Sequence, residues 1–219
     1  MSDAEQAEQF RWVLAHEYFH YWNGLALRVA SLPGTDMDDV ATYWFSEGVT
    51  EFYAMRLLTR AGLQEPDRSL VILNNKLSRY AANGKRNLGA KAAAASFWNS
   101  KDGEQIPYLR GYIAAWYADL AIWRATRGER DLDQMMRALM ARAKDQPDFR
   151  VDNDFLVGYL GQDLPEDSKS SLRSFVLDGG AAPLTEDSFA PCLQGRRTAD
   201  GEVLQFHPPD ASRNNCFRH

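Results

Sequence analysis

Several protein classes are excluded by what this chain has little of. Two cysteines in 219 residues are too few for a disulfide-built scaffold, and neither has the close C-x-x-C spacing of a zinc ribbon or a redox pair. Basic charge is not in excess: 25 Lys and Arg stand against 30 Asp and Glu, a net charge of -5, which argues against a nucleic-acid surface. No window holds the roughly eighteen apolar residues of a membrane span. The opening MSDAEQAEQF is acidic and lacks an apolar run, so it does not read as a secretory signal. No strand pattern and no internal repeat stand out. Histidine is scarce too, with four in all, and two of those lie four residues apart in HEYFH, residues 16–20.

Hydrophobic residues at 45% and charged residues at 25% are the proportions of a soluble globular protein with length enough for a core. The periodicity is helical. A helix is expected from about Glu5 to Val29, with Phe10, Val13, Leu14, Tyr21 and Trp22 on an apolar face beside the one that carries the histidines. Residues 31–38, with Pro33 and Gly34, read as a loop. A helix is expected to start near Ser46, a good N-cap. Leu70, Leu73, Leu77 and Tyr80 trace another, introduced by Pro66 and closed by Asn83-Gly84. Residues 85–107 read as a long, partly ordered connection, followed by a strong helix from Tyr108 to Arg127. Asp131 with Gln134 has the pattern of a capping box, ahead of a stripe of Leu and Met. Shorter helices are expected at 151–160 and 165–177. The expected fold class is all-α, a helical bundle over residues 1–185 with an irregular tail over 186–219.

Two histidines at i and i+4 share a helical face, so His16 and His20 can meet one cation, and zinc accepts histidine nitrogens at about 2.0 to 2.1 Å. Glu17, beside the first histidine, suits a general base that takes a proton from the water such an ion activates. A peptidase-type site needs a third protein ligand. Glu47 is the leading candidate, because it opens the next expected helix after a loop long enough to fold back. Glu51, one turn later, could hydrogen-bond the far ring nitrogen of a ligating histidine or stand as a solvated carboxylate. The donor set His16, His20 and Glu47 admits several divalent ions, of which zinc is the usual occupant.

The segments AHEYFHYWN, WFSEGVTEFYA and PYLRG together resemble the gluzincin metallopeptidases, in which HExxH is completed by the glutamate of an E-G motif on the following helix. The closer similarity is to the glycyl aminopeptidase family, whose members often carry a PDZ domain; the aminopeptidase N family is more distant. The likeness runs from about residue 11 to 185. It implies the helical catalytic subdomain of a thermolysin-like fold, one zinc ion per chain on His16, His20 and Glu47, Glu17 as base, and Tyr108 as the phenol that donates to the developing oxyanion. The implied activity is hydrolysis of a peptide bond, with a peptide or protein as substrate and an aminopeptidase as the expected kind.

Three departures bear on that expectation. In the aminopeptidase N family the glutamate follows the second histidine at a shorter spacing, where Asp39 stands here without an adjacent glycine. Arg110 replaces the usual lysine of the tyrosine segment. The upstream sheet that aligns the substrate in these families has no counterpart in the chain, and no PDZ-like stretch follows. A substrate-aligning domain in a longer parent protein is therefore expected, and a helical binding module without catalysis is the alternative. A disulfide between Cys192 and Cys216 would point to an exported or periplasmic protein.

Overall fold

A computed structural model describes residues 2–28, 37–199, 201, 203–208 and 217. The described chain is mostly helical. Helix α1 (Asp3–His20) is followed by a short α2 (Met37–Ala41), a π-helical turn (Trp44–Val49) and α3 (Thr50–Arg60). Then come α4 (Pro66–Ala82), α5 (Ala90–Ser96), the long α6 (Lys101–Ala125), α7 (Leu132–Asp145), α8 (Asn153–Leu160) and α9 (Glu166–Arg173). A second π-helical turn, Ser174–Asp178, extends α9.

Helix α6 is the axis of the bundle. Ile106, Leu109, Tyr112, Ile113, Trp116 and Ile122 are all buried, and a helix apolar all round belongs in a core. Small residues on it let neighbours approach: a Cβ on Gly103 would meet the Ser96 carbonyl at 2.2 Å. This helix corrects the expected connection over 85–107, which holds α5 and a 3-10 turn at Phe97–Asn99 and then the start of α6. Ser100 caps α6 by accepting the Gly103 N–H, and Pro107 lies inside it. An interior proline costs about 3 kcal/mol, so the burial of Ile106 and Leu109 on either side outweighs it.

The other expected helices hold with small shifts, except at the end of α1. Asp131 accepts from the Asp133 and Gln134 N–H groups while Gln134 accepts from the Asp131 N–H, the reciprocal pairing of a capping box. Helix α1 stops at His20, short of the expected Val29. Gly24 adopts φ +142 there, a conformation closed to other residues, and Asn23 pairs with Leu27. Val29 and most of the expected loop, residues 29–36, lie outside the described residues. Helix α1 buries Phe19 and part of Trp12, and Trp22 just beyond it is partly buried too, whereas Phe10, Val13, Leu14 and Tyr21 are exposed.

Within the tail a two-stranded antiparallel sheet forms where no strand pattern is evident: β1 (Gln194–Arg197) with β2 (Leu204–His207), Gln194 opposite His207. Each strand has four residues, too short for alternation to stand out. Leu204 and Phe206 point inward, and Asn74 of α4 exchanges hydrogen bonds with the Phe206 backbone at 2.8 Å each way. Cys192 is disulfide-bonded; Cys216 lies outside the described residues. Among the described residues no helix is long and apolar enough to cross a membrane.

Candidate active site

The last turn of α1 and the π-helical turn meet at the end of the bundle. Ser2 caps α1 in a reciprocal box with Glu5, and Phe19, stacked on Tyr53 in the core, fixes which way the helix end carrying His16 and His20 faces. The expected cap at Ser46 does not form. The helix runs in from Trp44 without a side-chain cap, and the Ser46 carbonyl instead accepts from Thr50 Oγ1 at 2.5 Å. Glu47 thus sits in a π-helical turn. Such wide turns recur at functional sites because they re-aim a side chain.

Two glycines explain where Glu47 can stand. A Cβ on Gly48 would lie 2.4 Å from the Gly111 Cα, and one on Gly111 would lie 1.6 Å from the Trp44 carbonyl oxygen. The π-helical turn and α6 therefore touch backbone to backbone, and this contact brings Glu47 beside Tyr108.

The three side chains converge. His20 Nε2 lies 3.0 Å from His16 Nε2, and Glu47 Oε2 lies 3.3 Å from His16 Nε2 and 3.4 Å from His20 Nε2. Tetrahedral ligand atoms bonded at about 2.0 to 2.1 Å stand about 3.3 Å apart, so this triangle has the dimensions of one face of a zinc tetrahedron. Donor chemistry fits as well, since two imidazoles and a carboxylate suit zinc. Among the described residues these are the one group of three His, Cys, Asp or Glu placed to hold a metal. Asp39 is not part of it.

Electrostatics agree with that donor set. Burial pushes Glu47 up, but the hydrogen bonds and charges of His16 and His20 outweigh it and hold the carboxyl at about 2. Glu47 is thus a carboxylate at neutral pH. Its hydrogen bond raises His20 above the ordinary histidine value, burial pulling the other way. His20 Nδ1 faces the Asn23 carbonyl at 3.2 Å; a proton donated there leaves Nε2 free to ligate.

Asn23 is a site residue that sequence reasoning uses only as part of a likeness. It is buried, and its amide donates to the Phe45 carbonyl at 2.9 Å and to Thr50 Oγ1 at 3.1 Å. The residue that orients His20 thereby also ties the end of α1 to the turn carrying Glu47. These contacts run through backbone carbonyls, its own toward His20 and that of Phe45 on the turn, which leave no mark in a sequence.

Tyr108 packs near His16, ring centroids 6.4 Å apart and nearly parallel. Burial and then the Glu47 charge push its phenol well above the ordinary value, so it keeps its proton. Glu17 is exposed and lines an open cleft of about 420 Å3 together with His16, His20, Leu25, Glu47 and Tyr108. Glu51 stands apart from the histidines' partners: its Oε2 accepts from Lys76 Nζ at 2.9 Å, while Asn23 serves the far nitrogen of His20. Arg110 is buried and donates to the carbonyls of Arg86, Leu88 and Val176. It braces the loop before α5 rather than the cleft.

The fold has a counterpart among solved structures. An aminopeptidase N family protein from Idiomarina loihiensis superposes with a TM-score of 0.73 at 23% identity, covering 98% of this chain and 38% of that one. The chain therefore spans well under half of that relative's length, and the likeness is one of fold. No curated protein matches the chain. Residues 9–143, well over half of the sequence, match the model of a single family, and the chain belongs to the M61 glycyl aminopeptidases.

Proposed function

We propose that the chain is the helical catalytic domain of a zinc-dependent aminopeptidase. The observation that carries this reading is the triangle of His16, His20 and Glu47 ligand atoms, 3.0 to 3.4 Å on a side, beside a free carboxylate and a phenol in one cleft. Zinc, when held by these three residues, supplies Lewis acidity that polarises a carbonyl and makes water nucleophilic at neutral pH.

The chain's own residues do the rest. Glu17 takes the proton from the attacking water and returns it to the departing amine. Tyr108 donates its O–H to the oxygen that gains charge as the carbonyl carbon becomes tetrahedral. Glu47 stays ionised, and the Asn23 carbonyl holds His20 in the tautomer that presents Nε2. An exported setting is supported by the disulfide of Cys192, since such bonds persist in oxidising compartments.

A further domain of a longer protein belongs to the same proposal. The exposed Phe10, Leu14 and Tyr18 line one face of α1 around Glu17, with Tyr21 just past its end, and an apolar face of this kind is a place for a partner. Coverage of 38% of the Idiomarina relative supports such a domain and also favours a second reading, that the chain alone is a metal-holding module without catalysis. Assay of the metal-loaded chain on glycyl and alanyl fluorogenic amides, beside a catalytically dead Glu17→Gln control, separates the two. Turnover that vanishes in the control supports the enzyme. Turnover equal in both proteins, or absent even when a preceding domain is supplied, removes it.

A further inference from the structure

A second groove, about 540 Å3 in volume, lies between α1 and α4. Gln9 and Trp12 line one wall, Ile72 and Asn75 the other, and the part-buried Lys76–Glu51 pair lies between them. Two pairs of positions tie it to the catalytic cleft. Trp12 is one helical turn before His16, and Glu51 is one turn after Glu47. Residues about a turn apart lie on the same side of a helix, so the faces of α1 and of α3 with the π-helical turn before it run from the groove on into the cleft.

We propose that this groove receives the peptide on the leaving-group side of the scissile bond. The inference rests on the aminopeptidase reading: only one residue precedes the bond in such a substrate, so a hollow of this length beyond the ligands serves the residues that follow it. A volume of this size accommodates a ligand of about two to four residues, within the range of ordinary binding pockets. The lining selects its chemistry. Trp12 and Ile72 give apolar contact, and the amides of Gln9 and Asn75 can hydrogen-bond a peptide backbone. Charges of both signs balance within the groove: Lys76 pairs with Glu51 and Arg68 with Glu8, and Glu5 and Arg79 add one of each sign. The occupant is therefore a neutral, extended peptide rather than a charged metabolite.

The test is calorimetric titration of the 219-residue chain, freed of metal by chelation so that no turnover interferes, with tetra-alanine and with alanine amide. Tetra-alanine is expected to bind about tenfold more tightly or better. Gln9→Trp and Asn75→Trp, at exposed positions on opposite walls, place an indole in the groove and should reduce that preference to within about twofold, with thermal melts confirming that both variants fold. The proposal is overturned if tetra-alanine binds no more tightly than the amide, or if its preference survives both substitutions. Hydrolysis is read separately on metal-loaded protein. Length-dependent binding without hydrolysis upholds the groove and removes the aminopeptidase reading, whereas hydrolysis without length-dependent binding removes the groove.

Discussion

Asn23 holds two parts of the site in register, its backbone carbonyl on His20 and its buried side-chain amide on the turn that carries Glu47. Replacing it by alanine removes the amide contacts and leaves the Phe45 carbonyl without that donor. The backbone carbonyl facing His20 remains but loses its tie to that turn, so metal affinity is expected to fall by about 10-fold, the low end of what disturbing a ligand's outer partner costs, which a competitive chelator titration measures. Glu17→Gln should act differently, because the amide keeps the shape and loses the basicity. Metal binding should stay as in the wild type while turnover drops by about 10²- to 10⁴-fold; near-normal turnover would remove Glu17 as the base. Much of this site is legible in the sequence, since i, i+4 histidines with an intervening glutamate state their chemistry through spacing alone. Asn23 is not, because a residue that acts through backbone carbonyls has no partner that the sequence can name. Glu51 illustrates the converse: its spacing suits a histidine partner, yet Lys76 of the next helix, α4, takes its carboxylate.

At the scale of elements, the contact between the π-helical turn and α6 sets where Glu47 stands. A methyl group on Gly111 would fall 1.6 Å from the Trp44 carbonyl oxygen, so the two backbones must separate. Gly111→Ala is expected to destabilise the protein by about 1 to 3 kcal/mol, as overpacking does, and to weaken metal binding at the same time. Urea denaturation and metal titration on one preparation check both. A second junction joins α3, α6 and α7: Arg56, almost fully buried, lies 2.7 Å from Asp119, 3.2 Å from Asp131 and 3.5 Å from Asp133. Arg56→Ala strands the buried Asp119, while Asp133 keeps Arg60, and a loss of about 3 kcal/mol is expected. The start of α6 is where local signals mislead, because Pro107 reads as a boundary while Ser100 and Gly103 already form a capped turn against Ser96. Strands β1 and β2 escape notice for a related reason. Their pairing depends on Asn74 and a buried Phe206, which are long-range contacts.

For the whole molecule, α1 divides its apolar residues between two faces. Phe19 stacks on Tyr53 at 4.3 Å in the core, while Leu14 and Tyr18 are 51% and 65% exposed. Phe19→Ala should therefore cost about 3 to 5 kcal/mol, and Leu14→Ser or Tyr18→Ser should change the stability of the chain by no more than about 0.5 kcal/mol. Thermal and urea melts of the three variants test that division, and a large loss in Leu14→Ser would contradict it. The functional reading depends above all on the three converging ligands. The most direct test is elemental analysis and competitive titration of the purified chain beside His20→Ala and Glu47→Ala. The expected result is one divalent ion per chain, lost in each variant while the helical fold remains by circular dichroism. Wild-type metal content and affinity in Glu47→Ala would show that the carboxylate is not a ligand and that the site is built from other groups.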